Sequence, residues 1–424
     1  MPFVEQFPGL PWPWLPLTLR DMAASTLVSS ADLGPVSRGL ESARFKKSRS
    51  DRSMPPAEEV SPATPSAGFH FDLKPRDVKT HLDRFVIQQD EAKKVLSVAL
   101  CDHFQHVRLT QEGQKAPFYT KQNVLLLGPT GVGKTHLIRS AAELIGVPFV
   151  KADATKFSET GYVGGDVEDL VRDLIRRVNG DVAKAEHGII YLDEVDKLAA
   201  SDSGGRDVSG KGVQINLLKL MEDADVPVVS PNDIMGQMQS IMPRPGQPPR
   251  EAGATINTRH ILFIVSGAFA GLTNHIRQRL ALAGKEIPGG REEDLMELAM
   301  TSDFISYGFE PEFIGRLPVR VACQPLGEND LYDVMRRSES SLLRQYERAF
   351  AAYGIEVKWK AEGLRRIARL AATEGTGARG LMTVCERVLR DFKFELPSTE
   401  VKRFSVTREL VDDPKTCLGK LLGK

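Results

Sequence analysis

The stretch "NVLLLGPTGVGKTHLI", Asn123 to Ile138, decides the fold. Its unbroken apolar run, within Asn123 to Leu127, suits a buried strand and is too short for a helix. A helical period follows in "KTHLIRSAAELI" and stops at Gly146. Between the two lies "GPTGVGKT", Gly128 to Thr135, which fits G-x-x-x-x-G-K-[ST] in the context where that pattern has a mechanism, after a strand and at the start of a helix. There Gly128, Pro129, Thr130, Gly131, Val132 and Gly133 are expected to wrap backbone N–H groups around phosphates, aided by the partial positive charge of the helix N-terminus. Lys134 would reach the terminal phosphates, and the Thr135 hydroxyl would be a magnesium ligand.

Outward from this loop, strands and helices alternate. "PFVKADA" reads as a second strand. Val167, Leu170, Val171, Leu174, Ile175 and Val178 form an amphipathic helix with Asp166 placed as its N-cap. Next come the strand "GIIYLDE", a helix through "VQINLLKLMEDA" and the strand "HILFIVSG". Such alternation predicts an α/β domain, a mostly parallel sheet flanked by helices. Upstream, "DVKTHLDRFVIQQDEAKKVLSVALCDHF" reads as helix, short break, helix, and after Pro318 the chain turns mainly helical. The expected organisation is a Pro/Ser-rich arm over residues 1–70, a large α/β ATPase domain over 71–318 and a small helical domain over 319–424.

A phosphate loop needs a partner if it is to hydrolyse as well as bind. "IIYLDEVDK" ends a buried strand in Asp193 and Glu194, at the carboxyl end where open parallel sheets bind ligands. Asp193 is suited to hold the metal and Glu194 to polarise an attacking water. Hydrolysis of a nucleoside triphosphate is the expected chemistry.

Composition narrows the rest. The 424 residues carry 56 basic and 56 acidic side chains, so no global electrostatic case for nucleic acid exists. The four cysteines, Cys101, Cys323, Cys385 and Cys417, are scattered without a CxxC pair, so no zinc site is expected. No apolar run reaches the roughly 18 residues that cross a bilayer, and no basic leader precedes an apolar stretch, which predicts a cytoplasmic protein without membrane contact. In the arm, "PGLPWPWLPL" and "SMPPAEEVSPATPSAG" lack a core-forming period and read as disordered, with Trp12 and Trp14 either a docking motif or incidental.

Six ordered blocks, "YVGGDVEDLVRDLI", "GIIYLDEVDK", "RDVSGKGVQINLLKLME", "ILFIVSGAFAGL", "EPEFIGRLPV" and "GTGARGL", resemble the ClpX family of AAA+ protein unfoldases, with HslU more distant. The resemblance covers about Leu73 to the C-terminus. It implies an ATP-dependent unfoldase, working as a homohexamer with Mg2+ and ATP on protein substrates. By position it makes Arg316 the arginine finger offered to a neighbouring subunit, Arg379 the second sensor, Ser266 the first sensor, and Val86 and Ile87 the adenine pocket. It also assigns Tyr162 and Val163, in "GYVG", to the pore loop that grips a threaded polypeptide.

Several features depart from the family pattern. Gln88 stands where a glycine is usual. No cysteine precedes Cys101, so the family's N-terminal zinc-binding domain is not expected. The Ile/Leu-Gly-Phe tripeptide that docks the ClpP peptidase is missing from "TNHIRQRLALAGKEIPGGREEDL". The pore-entrance loop is replaced by "MGQMQSIMPRPGQPPREAG", whose soft methionines suit promiscuous peptide contact and equally an uncommitted surface. The alternatives to a free-standing unfoldase are the ATP-binding specificity subunit of a ClpXP-type protease and, in another class, a nucleotide-switched scaffold or nucleic-acid remodeller.

Overall fold

The computed structural model describes residues 69–114, 119–157, 165–199, 208–229, 254–286, 292–339 and 341–423. The Pro-rich arm with Trp12 and Trp14, the segment holding Tyr162 and Val163, and the Met- and Pro-rich loop lie outside these residues.

Two helices lead in, α1 (Pro75–Phe85) and α2 (Asp90–Gln111), followed by β1 (Val124–Leu127), α3 (Lys134–Ile145), β2 (Phe149–Asp153), α4 (Asp169–Arg177) and β3 (Ile189–Asp193). After the helix Val208–Met221 come β4 (Asp225–Pro227), β5 (Thr255–Asn257), β6 (Leu262–Gly267) and β7 (Val319–Ala322). Five strands form one parallel sheet in the order β2-β3-β6-β1-β7, and β4 and β5 pair as an antiparallel ribbon. Because strand side chains alternate between faces, Leu125 and Leu127 enter one core while Val124 and Leu126 enter the other. Both faces are therefore apolar, as a parallel sheet covered by helices on each side requires.

The sheet extends past the domain boundary expected at residue 318, since Val319–Ala322 is its edge strand, in register with Val124–Leu127. An arginine interrupts that short apolar run. Arg320 is accommodated because its guanidinium donates to the Leu317 and Ile314 carbonyls, at 2.9 and 3.0 Å, and lies over the Phe304 ring. The start of α4 also differs from the expected one. Asp166 accepts from Glu168 N at 3.1 Å, which caps a turn, and the helix proper begins at Asp169.

Beyond β7 a third core gathers Leu331, Phe350, Ile367, Val384, Phe392 and Phe404 from four long helices and a parallel pair, β8 (Glu356–Trp359) and β9 (Arg403–Val406). This helical body is tied back near the end of α1. Ser338 Oγ donates to Phe85 O at 2.7 Å, Glu339 N to Arg84 O at 3.0 Å, and the Arg84 and Glu339 side chains pair at 2.7 Å. Gln89 and Gln324 exchange two side-chain to backbone hydrogen bonds, at 2.6 and 2.8 Å, at the same joint. Among the described residues no helix is long and apolar enough to cross a membrane. The four cysteines are free thiols.

Candidate functional site

The carboxyl ends of the three inner strands β1, β6 and β3 lie side by side at one end of the sheet, facing the helical body across a cleft of about 530 Å³. That volume falls within the range of sites that enclose a small ligand. Its floor is the loop from Thr130 to Gly133, with Lys134 and Thr135 at the start of α3. Close approach explains the glycine at 131. A Cβ there would stand 2.1 Å from Thr376 O, and one on Gly377 would stand 2.7 Å from Gly131 O. Ala378 N also donates to Gly131 O at 2.9 Å. The phosphate loop thus touches the helical body backbone to backbone, immediately before the helix Ala378–Glu395 that carries Arg379.

Lys134 is buried, and burial holds its amine below the ordinary lysine value. Its Nζ donates to Pro129 O at 2.9 Å and to Gly128 O. Thr135 Oγ1 lies 3.4 Å from Asp193 Oδ2 and from the Tyr191 hydroxyl. Ser266, fully buried at the end of β6, donates to Asp193 Oδ1 at 2.7 Å and shares a 2.7 Å hydrogen bond with Tyr191. Burial alone would raise the Asp193 carboxyl, but bonds from Ser266 and Lys151 outweigh it and hold it below the usual carboxylate value. Glu194 follows in the left-handed region, φ 57°, and lines the cleft beside it.

The far wall is apolar. Val86, Ile87, Leu326, Val334, Leu342 and Met382 line it. Gln88, at the place where a glycine is usual in the resembled family, adopts φ 60°, a conformation that costs a side-chain-bearing residue roughly 1 to 2 kcal/mol. Oriented to donate, its amide reaches Pro325 O at 3.1 Å and Asp330 at 3.3 Å, which offsets part of that cost.

Thr130 to Thr135, Asp193, Glu194, Val86, Ile87 and Arg379 therefore converge on one cleft, Gly128 and Pro129 stand behind its lining with their carbonyls on Lys134 Nζ, and Ser266 supports it from beneath. Arg316 does not line it. Arg316 closes the helix Pro311–Gly315 and pairs instead with Glu222 at 2.5 Å, both side chains being substantially exposed. The composition of the cleft fits a magnesium nucleotide: a loop of backbone N–H groups and a lysine for phosphates, a hydroxyl and a carboxylate for a hard cation, and an apolar slot for a base. Sequence reasoning missed Tyr191, Lys151 and the contact between Gly131 and Gly377. Strand parity could have placed Tyr191 on the face of β3 under α3, and the glycine of "GTGARGL" marked a close approach without naming its partner.

The fold and cleft define a P-loop ATPase, and the model of the AAA domain (Cdc48 subfamily) matches residues 119–320. Over 350 residues the chain is 40% identical to the ATP-dependent Clp protease ATP-binding subunits ClpX of Borrelia duttonii and Borrelia recurrentis, covering 80% of this chain and 78% of each relative. Over 359 residues it is 39% identical to the ATP-dependent Clp protease ATP-binding subunit ClpX 3 of Methylococcus capsulatus, covering 80% of both. The chain belongs to the ClpX family of AAA+ ATPases.

Proposed function

We propose that this chain is a cytoplasmic, ATP-driven protein unfoldase that forms a homohexameric ring and threads polypeptides through its channel. The observation that carries this reading is the backbone joint between the phosphate loop and the Arg379 helix, because a change at the phosphates is then a change in angle between the two bodies. ATP binds with its base against Val86 and Ile87 and its phosphates on Gly128 to Lys134. Thr135 and Asp193 hold magnesium, and no zinc is required. When bound, that ion supplies positive charge to the phosphate oxygens of the transferring group. Ser266 fixes the aim of Asp193, Glu194 polarises the attacking water, and Arg379 reports the nucleotide to the helical body.

Arg316 serves the site of the neighbouring subunit, a role supported by its exposure and its separation from its own cleft. Its ion pair with Glu222 opens when that neighbour docks. Tyr162 and Val163 grip the substrate. The curated relatives are named as subunits of a protease, so a ClpP-type peptidase partner is the second reading. Because the docking tripeptide is missing from this chain, we place remodelling without a peptidase first.

ATP-dependent loss of fluorescence from a tagged folded reporter tests the proposal, run with and without a ClpP-type barrel. Unfolding in the absence of the barrel is the expected result, and ATP turnover without any unfolding would remove the reading. Tyr162→Ala should keep at least about half of the ATPase while unfolding falls roughly tenfold or more, since the substitution leaves the hydrolytic groups in place.

A further inference from the structure

Lys151 sits at the middle of β2, opposite Tyr191 in the parallel register that also sets Asp153 opposite Asp193. Its Nζ lies over the Tyr191 ring, 5.8 Å from the centroid. From there Nζ reaches Asp193 Oδ2 at 3.1 Å and donates to Thr135 Oγ1 at 3.2 Å. These are the two side chains assigned above to magnesium, so a fixed ammonium stands between the oxygens that a hard cation would claim. The other Asp193 oxygen is already engaged by Ser266 and by Glu194 N. A surface ion pair would be the ordinary reading of a strand lysine beside an aspartate. Here, however, the lysine bridges both side chains assigned to the metal, and its carboxylate partner is largely buried.

The lysine also has somewhere to go. It lines a second cleft of about 800 Å³, between the end of α3, the start of β2 and the end of α4, and its side chain is about one-third exposed. An unbranched four-carbon stem can swing across such a space with little backbone cost.

We infer that Lys151 is the resident counter-cation of the Thr135–Asp193 pair: it holds the two side chains together before metal arrives and yields the position when magnesium nucleotide binds. This rests on the reading of the cleft as the nucleotide site. Two consequences follow from charge balance. Metal must displace an existing cation, and a nucleotide arriving without metal still meets a positive charge beside its terminal phosphate. Both make nucleotide affinity less dependent on Mg2+ than a site without the lysine would be. Lys151 is a positioning residue in this account, since it acts through Asp193 and Thr135.

The test compares ADP dissociation constants of the full chain in EDTA and in excess Mg2+, measured by calorimetry, for the unaltered protein, Lys151→Met and Lys151→Arg. The ratio of the two constants should rise roughly threefold to tenfold in Lys151→Met, the worth of one close, partly exposed charge pair. It should stay within about twofold in Lys151→Arg, which keeps the charge. Without nucleotide, Lys151→Met should melt earlier than the unaltered chain, and saturating Mg·ADP should erase most of that gap. If Lys151→Met folds poorly, Lys151→Gln gives the same comparison. An unchanged ratio in the neutral variants overturns the inference while leaving the nucleotide site intact. Failure of the unaltered chain to bind ADP at all overturns both.

Discussion

The two walls of the cleft are built in opposite ways. The sheet wall draws its polar groups from strand ends inside the main core: Ser266 is fully buried, Tyr191 is bonded to it, and Asp193 is held between Ser266 and Lys151. The helical wall rests on a separate core and presents Arg379 from the first turn of a helix, next to a half-exposed Met382. Groups locked by neighbouring strands suit a reaction whose geometry must not vary. Groups on a body joined through a few bonds and one backbone contact suit a part that must move when the occupant changes.

That division can be broken most decisively at Glu194. Glu194→Gln should lower ATP turnover by about 10²- to 10⁴-fold, the usual share of a positioned base. The Kd for Mg·ATP should stay within about threefold, which equilibrium binding in parallel with single-turnover hydrolysis would check. A comparable loss of affinity would mean that the sheet wall does not separate chemistry from binding.

Gly377→Ala attacks both walls at once. The added Cβ would meet Gly131 O at 2.7 Å, and φ 58° disfavours any side chain. A stability loss of about 1 to 3 kcal/mol and nucleotide binding weakened roughly tenfold are expected, read from thermal melts and titrations.

Acid should loosen the sheet wall from its opposite end. Burial pushes His103 down to about 3, against the raising effect of its bond to His260 O, and His260 down to about 4. Lys121, His106, His187 and Arg259 are the neighbouring basic groups that add to the repulsion. Both imidazoles are neutral when folded and take up a proton when unfolded, so the stability they contribute is complete above about pH 6.5. It is lost as pH falls from there toward 3 to 4. Melting temperature should decline across that window, and His103→Gln should flatten the decline. The smallest effect belongs to the helical wall: Arg379→Ala should weaken nucleotide about threefold to tenfold, with hydrolysis per bound nucleotide falling less. Equal falls in both would assign Arg379 to the chemistry instead.

How legible each part was in the sequence follows from where its determinants sit. The phosphate loop declares itself because its glycines, lysine and threonine are contiguous and flanked by a strand and a helix of opposite period. Asp193 and Glu194 are legible because four apolar residues immediately precede them. The edge strand Val319–Ala322 was not, since an arginine breaks its pattern and only pairing with β1 makes it a strand. Lys151 could not be read as a site residue, because its importance comes from the register that places it against Tyr191 and Asp193, remote in sequence. The start of α4 was misplaced because an aspartate that begins a turn looks, in sequence, like one that begins a helix.

Main chain abutting main chain at Gly131 and Gly377 has a mechanical corollary. Side chains cushion most joints between rigid parts, since methylenes rotate and take up slack. At this joint nothing intervenes, so a tilt of the helical lever by a few degrees reaches the triphosphate cradle undamped, and a shift in the cradle returns along the same strut.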